Sequence, residues 1–341
     1  MGKAEENLVE EAEALASELA RARAEIGKRV IGQDAVIDLV LSALLAGGHA
    51  LVIGLPGLGK TRLVDTLSRV MGLDGGRVQF TPDLMPADIL GAEVLEENEA
   101  GSRSFRFIPG PVFCQLLLAD EINRASPRTQ SALLQAMQEG EVTVAGHAHK
   151  LPAPFHVLAT QNPLEQEGTY PLPEAQLDRF LLQVDVAYPD RDAERDILLA
   201  TTGTDEAVAE PVFSAGDLAR AQALLRRMPV GEAVVGLILD LVRACRPDGE
   251  NAPQAIRDAV AWGPGTRAAQ ALMLLTRARA LIDGRLAPGP GDVIALARPV
   301  LIHRMALSYG ARARGEDLGA LIEEVARGLA PEAAESAGAA A

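Results

Sequence analysis

Cysteine and aromatic residues are scarce in this chain of 341 residues. The two cysteines, Cys114 and Cys245, are too few for a disulfide framework and match no metal-binding spacing. Aromatic side chains make up 3% of the residues, which argues against the stacking platforms that a single-strand nucleic-acid binder uses. We therefore expect a protein of a reducing compartment that is held together by its hydrophobic core.

Positively charged residues are also fewer than negatively charged ones. There are 32 lysines and arginines against 47 aspartates and glutamates, so the formal net charge is −15. A surface of this sign repels a phosphate backbone, and we expect no binding to bulk nucleic acid or to an anionic membrane. The N-terminus is acidic and lacks a basic segment followed by an apolar one, which predicts no export signal and a cytoplasmic location.

Long hydrophobic runs are missing as well. The one stretch that resembles a membrane span, residues 37–53, is interrupted by Asp38 and Ser42 and divided by a Gly-Gly-His turn at 47–49. It predicts helix, turn and strand, and we expect no direct membrane insertion. Hydrophobic residues still make up 48% of the chain, which is ample for two domains of roughly 150 residues.

The N-terminal half shows two periodicities. Apolar residues recur every three or four positions over 8–26, which predicts a first helix that packs on its own domain, with a short coiled coil as the alternative. Short apolar runs then alternate with helix-length segments, which is typical of parallel strands buried on both faces. The runs are 49–53, 77–80, 115–119, 155–160 and 181–186. We therefore predict an α/β domain over residues 1–190.

The C-terminal half loses the strand pattern. Residues 191–330 are rich in Ala, Leu and Arg with helical periodicity, and Ser214 with Asp217 resembles a capping box. The predicted helices lie near 233–245, 266–282, 291–307 and 316–328. We therefore predict an all-helical second domain and a frayed tail at 331–341.

Residues 54–61 read GLPGLGKT, which matches the phosphate-binding loop G-x-x-x-x-G-K-[S/T]. The loop lies directly between a predicted strand and a predicted helix, as this motif requires. Its glycines let successive N–H groups point at the β-phosphate of a nucleotide. Lys60 then places a positive charge at the β- and γ-phosphates, and Thr61 ligates Mg²⁺.

Two carboxylates, Asp120 and Glu121, follow the apolar run at 115–119. Ligands bind at this end of the strands in open parallel sheets. We expect Asp120 to hold the Mg²⁺ shell and Glu121 to act as general base toward the attacking water. Such a pair can also cap a helix, and the neighbouring phosphate loop is what favours the catalytic interpretation.

The order of these motifs resembles the AAA+ ATPases, and three stretches are similar to the MoxR branch of that family. They are DEINRA at 120–125, ATQNP at 159–163 and LPEAQLDRF at 172–180. The similarity covers nearly the whole chain. It implies a P-loop AAA+ core with a parallel sheet, a C-terminal all-helical lid, ATP and Mg²⁺ as ligands, and a ring of identical subunits, expected as a hexamer.

The resemblance also implies roles for three further residues. Asn162 corresponds to the sensor-1 residue that orients the lytic water, with a loop-capping Asn as the alternative. Arg179 corresponds to the arginine finger that reaches the nucleotide of the adjacent subunit, with a plain surface charge as the alternative. Arg267, in GPGTRA at 263–268, resembles sensor 2 near the γ-phosphate, although Gly-Thr precedes it where the family has Ser-Pro.

The segment at 30–34 occupies the position of the adenine pocket in this family, with apolar contact from Ile31 and backbone contact at Gly32. The predicted catalytic residues are Glu121, Asn162, Arg179 and Arg267. The predicted nucleotide-binding residues are Ile31, Gly32, Gly54, Pro56, Gly57, Leu58, Gly59, Lys60, Thr61 and Asp120, with Thr61 and Asp120 as metal ligands.

Two segments resemble hairpins that distinguish this branch from other AAA+ proteins. Residues 89–108, around a polar tip at 98–102, resemble the hairpin inserted into helix 2, and residues 141–151 resemble the hairpin before sensor 1. In the family both face the interior of the ring, which makes them candidates for contact with a client. We expect His147 and His149 to lie on a solvated hairpin edge, with a metal site as the alternative.

The function implied by the resemblance is ATP-driven remodelling or maturation of a client protein complex, with a partner that carries a von Willebrand factor type A domain. Three alternatives stay open. One is the motor subunit of a metal-chelatase-like complex, and another is a replicative helicase relative, which the net charge of −15 disfavours. The third is a nucleotide switch without hydrolysis, which the presence of Glu121, Asn162 and Arg179 disfavours.

Overall fold

A computed structural model describes residues 3–97, 103–164, 168–203 and 207–331. The N-terminal part of the chain contains nine strands. In chain order they are β1 (Ala50–Gly54), β2 (Gly75–Gln79), β3 (Gly91–Glu97), β4 (Arg103–Pro109), β5 (Leu116–Asp120), β6 (Glu141–Val144), β7 (His147–Lys150), β8 (His156–Gln161) and β9 (Leu182–Val186). Five of them form one parallel sheet in the order β2-β5-β8-β1-β9. Each predicted apolar run overlaps one strand of this sheet.

Helices surround the sheet and continue as far as Leu329. They are α1 (Lys3–Gly27), α2 (Asp34–Leu45), α3 (Lys60–Val70), α4 (Pro86–Leu90), α5 (Pro127–Glu139), α6 (Glu174–Leu177), α7 (Arg191–Thr202), α8 (Ala215–Arg227), α9 (Glu232–Ala244), α10 (Gln254–Ala259), α11 (Thr266–Ile282), α12 (Pro290–Leu301), α13 (Tyr309–Ala313) and α14 (Leu318–Leu329). The α/β class with a helical C-terminal region is therefore confirmed.

Burial differs between the strands according to their place in the sheet. The central strand β5 is buried at all five positions, as expected for a strand covered on both faces. The edge strand β2 instead alternates, with Val78 buried between the exposed Arg77 and Gln79. This alternation leaves the polar side chains of β2 free to reach the end of β5, which matters for the site below.

The first helix buries the apolar face that its periodicity predicts, including Leu15, Leu19 and Ile26. It packs on α2 and α3 of the sheet domain and also on α8 and α11 of the helical region. The predicted packing within the sheet domain is thus present, and α1 also joins the two parts. Because its apolar face is already covered, the coiled-coil alternative loses its basis.

The helical region differs from the expectation in two details. It contains a two-stranded ribbon of β10 (Val260–Trp262) and β11 (Ala306–Leu307). The helix predicted over 291–307 ends at Leu301, and a turn of 3₁₀ helix follows at Ile302–Arg304. His303 and Arg304 leave the helix because they bond the backbone around residue 180.

Both predicted hairpins are present. Strand β3 pairs with β4, and β6 pairs with β7; the tip expected at 98–102 lies outside the described residues. The hairpins touch each other, because the His149 ring stacks on Phe107 with centroids 3.8 Å apart and His147 Nδ1 lies 3.5 Å from Glu93 Oε1. His147 is exposed as expected, whereas His149 packs against the inserted hairpin.

The metal-site alternative for these histidines finds no support, because no group of three or more potential metal-binding side chains occurs among the described residues. The apolar stretch at 37–53 forms the end of α2, a turn and β1, as predicted. Within the described part of the chain, no helix has both the length and the apolar character needed to cross a membrane.

Candidate functional site

The phosphate-binding loop joins β1 to α3 at the carboxyl edge of the sheet. Gly57 and Gly59 have φ angles of 86° and 75°, a region that residues with side chains rarely adopt. A Cβ atom at either position would meet nothing within 4 Å, so the glycines are required by backbone conformation and not by crowding. The open space in front of the loop and the N-terminus of α3 together suit an anion.

The predicted phosphate ligands lie in the first turn of α3. Lys60 Nζ donates a hydrogen bond to the carbonyl oxygen of Gly54 at 2.6 Å, so the ammonium folds back across the loop. Thr61 follows it in the same turn, and Pro56 is exposed at the outer side of the loop. The carbonyl of Leu58 accepts a hydrogen bond from Gln33 Nε2 at 3.2 Å, which ties the loop to the residues before α2.

A cavity of about 480 Å³ opens beside the loop, and we call it the P-loop cavity. It is lined by Val30, Ile31, Gln33, Gly57, Leu58, Gly59, Arg62, Tyr188, Pro189, Ile197 and Leu198, among others. Most of these side chains are apolar, which suits the faces of a nucleobase. Ile31, the predicted adenine contact, is one of the residues that line this cavity.

Gly32 lies where α7 closes against the P-loop cavity. Its φ is 70°, and a Cβ atom there would come 2.3 Å from the Cβ of Ala193. Only glycine permits this close approach, so Gly32 sets the distance between the segment at 30–34 and α7. This role differs from the predicted backbone contact with adenine and does not conflict with it.

Asp120 is the last residue of β5 and is largely buried. Its Oδ1 accepts a hydrogen bond from Thr160 Oγ1 at 2.6 Å, and its Oδ2 accepts one from Arg77 Nη2 at 2.8 Å. Its orientation is thereby fixed from both neighbouring strands. A carboxylate held at the carboxyl edge of the sheet provides the kind of oxygen donor that Mg²⁺ prefers.

Glu121 has φ 57° and ψ 50°, a left-handed conformation that is rare for a residue with a side chain. Its N–H donates to Thr160 Oγ1 at 2.8 Å, so one hydroxyl holds both carboxylate residues. Its Oε2 accepts hydrogen bonds from Gln79 Nε2 at 2.8 Å and from Arg124 Nη1 at 3.1 Å. The strained backbone thus turns the carboxylate toward β2.

Four partners of these carboxylates were not predicted from the sequence: Arg77, Gln79, Arg124 and Thr160. Arg77 and Gln79 are two positions apart on β2, so they share one face of the sheet. In the observed register Gln79 is the partner of Asp120, which brings this face against the two carboxylates. The polar-apolar alternation of the run at 77–80 is the sequence feature that could have indicated them.

Asn162 follows β8, and β8 lies between the strand of the carboxylates and the strand of the P-loop, as predicted. It is buried, and its Oδ1 accepts the backbone N–H of Leu164 at 3.2 Å. The loop-capping contact is therefore present. It uses only the oxygen of the side chain, so it leaves the sensor-1 hypothesis open for the amide nitrogen.

Arg179 and Arg267 line a second cavity, of about 250 Å³, which we call the arginine cavity. Its wall also includes Asp178 and Arg304, and none of the described P-loop residues borders it. Arg267 Nη1 lies 3.3 Å from Asp178 Oδ2. The structure thus brings these two arginines together and separates them from the P-loop of the same chain.

His49 also borders the arginine cavity. Its Nδ1 accepts the backbone N–H of Val157 at 3.0 Å, which leaves Nε2 to donate to the carbonyl of Met137 at 3.1 Å. Burial and the neighbouring His156 lower the pKa of His49 to about 4. Both ring nitrogens are thus committed with the imidazole neutral, and protonation at Nδ1 would break the bond to Val157.

Family models match two parts of this chain. Residues 49–182 match the ATPase family associated with various cellular activities (AAA), and residues 253–325 match the AAA lid domain. The first match contains the P-loop, both carboxylates, Asn162 and Arg179, and the second contains Arg267 and Arg304. The fold and the site therefore define an AAA+ ATPase, which is a class of nucleotide-binding proteins.

Individual relatives narrow the class. Chaperone MoxR1 of Mycobacterium tuberculosis is 42% identical over 305 residues, which is 89% of this chain and 80% of the relative. Protein MoxR of Paracoccus denitrificans is 31% identical over 87% of this chain and 91% of its own length. A Cytophaga hutchinsonii protein, described as a candidate ATPase, has a crystal structure that superposes with a TM-score of 0.88 at 36% identity over 96% of this chain and 98% of that one. The chain belongs to the MoxR family of AAA+ ATPases.

Proposed function

We propose that this chain hydrolyses ATP between neighbouring copies of itself and that a ring of such copies remodels a client protein complex. The observation that carries the proposal is the separation of the candidate residues into two cavities. The P-loop lines one cavity, and Arg179 and Arg267 line the other. A complete site then requires the arginine cavity of one copy to face the P-loop cavity of the next.

ATP binding is the part performed within one chain. The apolar lining of the P-loop cavity receives the base, and the N–H groups of residues 57–61 surround the β-phosphate. Lys60 exchanges its bond to the Gly54 carbonyl for the phosphate oxygens. Thr61 and Asp120 are the residues that would hold Mg²⁺, whose charge neutralises the phosphates when it is bound.

Glu121 acts as the general base in this proposal. Both of its observed side-chain bonds fall on Oε2, so we assign Oε1 to the attacking water. Gln79 and Arg124 then fix the direction of the carboxylate while Oε1 takes the proton. Asn162 contributes its amide nitrogen to the same water.

Arg179 and Arg267 act on the nucleotide of the neighbouring copy. Two guanidinium groups in one cavity give a concentrated positive charge that suits the γ-phosphate in the transition state. This arrangement also accounts for the place of Arg267 in the lining of the arginine cavity and not of the P-loop cavity, because both arginines then work in trans.

Client remodelling is supported by the relative from Mycobacterium tuberculosis, which is named a chaperone. The inserted hairpin adds a physical basis, since Leu95 and Phe105 face each other across β3 and β4 and both are exposed. Such a pair offers apolar contact to a client. A hexameric ring, a cytoplasmic location and a partner with a von Willebrand factor type A domain complete the proposal.

Mixing two inactive variants tests the central claim. We expect Lys60→Ala to lose tight ATP binding and Arg179→Ala to bind ATP but to hydrolyse it roughly 10³- to 10⁵-fold more slowly. In mixed rings some interfaces combine the intact loop of one variant with the intact arginine of the other. The ATPase rate of the mixture should therefore exceed that of either variant alone.

The exposed Arg327 on α14 offers a matched control, because Arg327→Ala removes the same side chain away from both cavities. Its turnover should equal that of the wild type. Two results would contradict the proposal: full ATPase activity in Arg179→Ala, or wild-type activity per chain that stays constant as the protein is diluted below the concentration at which it assembles.

A further inference from the structure

Arg304 lies at the floor of the arginine cavity with 2% of its surface exposed. It belongs to the 3₁₀ turn after α12 and therefore to the helical region. Its Nε donates to Asp178 Oδ1 at 2.8 Å. Its terminal nitrogens donate to the backbone carbonyls of Asp178, Phe180, Leu181 and Val300 at 3.5, 2.6, 3.1 and 2.6 Å respectively.

These hydrogen bonds hold the backbone on both sides of Arg179, the candidate arginine finger. The carbonyls of Asp178 and Phe180 flank Arg179 in the chain, and both accept from Arg304. The carbonyl of Phe180 also lies 3.1 Å from Nε2 of the buried His303. The backbone that carries Arg179 is thus held by residues of the helical region and not by its own domain alone.

Asp178 also restrains the side chain of Arg267. Its Oδ1 bonds Arg304, and its Oδ2 lies 3.3 Å from Nη1 of Arg267. The Arg267 side chain is about half exposed, at 52%, so few packing contacts restrain it and the bond to Asp178 sets its direction. One carboxylate therefore links a buried arginine to an exposed one.

Only a guanidinium can make this set of contacts. Its planar fork carries five N–H donors that diverge in fixed directions, whereas a lysine ammonium has three donors at one point. At this site the donors reach a carboxylate on one side and carbonyls of two chain segments on the others. Displacing the group would leave a buried charge and several carbonyls without partners, so its position is tightly determined.

We propose that Arg304 is a positioning residue that sets the direction of Arg179 and Arg267 toward the nucleotide of the adjacent copy. The inference rests on the proposed function, because it concerns how these two arginines are aimed. Arg304 acts through the backbone at 178–181 and through the Asp178 carboxylate. The finger of the sheet domain and the sensor of the helical region are thereby oriented by one buried side chain.

The test compares Arg304→Lys with Arg298→Lys. Arg298 is a matched control because it also joins the helical region to the sheet domain, at 3.2 Å from Asp185, but away from the arginine cavity. We expect Arg304→Lys to lower kcat between about 10- and 100-fold, since a displacement of about 1 Å is enough for such a loss. The KM for ATP and the ATP affinity should stay at the wild-type value, and Arg298→Lys should match the wild type in all three.

Combined variants distinguish positioning from a general structural role. If Arg304 works through both arginines, adding Arg304→Lys to the Arg179→Ala/Arg267→Ala double variant should cause no further loss of kcat. A further loss in the triple variant, or a parallel loss of ATP affinity, would overturn the inference. Wild-type kcat in Arg304→Lys would overturn it as well, while full activity in Arg179→Ala would instead refute the proposed function.

Asp178→Asn keeps the test decisive should Arg304→Lys fail to fold. The amide oxygen still accepts from Arg304, whereas the amide NH₂ turned toward Arg267 cannot accept. We expect kcat to fall at unchanged KM, and the addition of Arg267→Ala to cause no further loss. Wild-type kcat in Asp178→Asn, or additive losses in the pair, would reject the role of this carboxylate.

Discussion

The P-loop cavity and the arginine cavity are built in different ways. The first takes its phosphate-facing groups from eight consecutive residues, 54–61, and depends on backbone N–H groups and two glycine torsions. The second gathers Asp178, Arg267 and Arg304 from positions up to 126 residues apart, and each contact is made by a side chain.

This difference has a physical consequence for each cavity. A backbone-built loop forms once the strand and helix beside it form, so it tolerates changes elsewhere in the chain. A site assembled from distant side chains requires the whole helical region to dock correctly. ATP binding and ATP hydrolysis are therefore sensitive to substitutions in different parts of the chain. A variant can change one of them and leave the other intact.

Next to the loss expected for Arg179→Ala, the largest effect concerns Glu121, beside the P-loop. In Glu121→Gln the amide cannot take a proton from water, so turnover should fall roughly 10²- to 10⁴-fold while ATP still binds. Calorimetric titration together with steady-state turnover would measure both quantities. The control Glu139→Gln changes an exposed carboxylate that accepts hydrogen bonds from Gln135, and its turnover should equal that of the wild type. Near-normal turnover of Glu121→Gln would transfer the base role to another group.

An intermediate effect concerns the pH dependence of stability, through His49 at the arginine cavity. Burial lowers the pKa of His49 to about 4, whereas the unfolded chain titrates near 6.5. Below pH 6.5 the unfolded chain therefore binds more protons, and the free energy of unfolding falls as the pH drops toward 4. The loss from His49 alone should be about 2 kcal/mol at pH 5, and the pKa values of His156 and His303 are lowered in the same direction.

Urea unfolding between pH 7.5 and 5 measures this dependence. We expect His49→Gln to reduce its slope, because the titrating group is gone. Equal stability of the wild type at pH 7.5 and pH 5 would show that the buried histidines do not govern it.

The smallest expected effect concerns the wall of the P-loop cavity. Gly32→Ala would force α7 outward, because the new Cβ would meet Ala193, and we expect ATP affinity to fall about tenfold. Gly47→Ala is the control, since Gly47 has a similar φ of 75° but a Cβ there would come no nearer than 3.9 Å to the side chains of Arg226 and Gln222. Both variants should lose about 1 kcal/mol of stability to backbone strain. A wild-type ATP affinity in Gly32→Ala would separate α7 from nucleotide binding.

Most of the P-loop side could be predicted from the sequence. The strands of the sheet are apolar runs, and the loop between β1 and α3 is a contiguous motif, so local patterns were sufficient. The partners of the carboxylates could not be predicted in the same way. Arg77 and Gln79 reach Asp120 and Glu121 only because β2 pairs with β5 in one register, which no local pattern states.

The arginine side could be predicted only in part. Resemblance to the family indicated Arg179 and Arg267, but nothing local to position 304 distinguishes its arginine from the others of this Arg-rich region. Its burial depends on the end of α12, and its partners lie in the loop before β9. The same dependence explains why the helix predicted over 291–307 stops at Leu301.

The stacking of His149 on Phe107 gives the inserted hairpin a second point of support, on the hairpin β6–β7. A ribbon of seven paired residues is about 23 Å long, and a hairpin of two strands alone is marginally stable in water. The stacking contact is made at Phe107, near the base of the hairpin, whereas Leu95 and Phe105 lie further toward its tip. Residues 151–155 join β7 to β8, and Asn162 follows β8, so the hairpin proposed to meet a client is in contact with the segment that leads to the candidate sensor-1 residue.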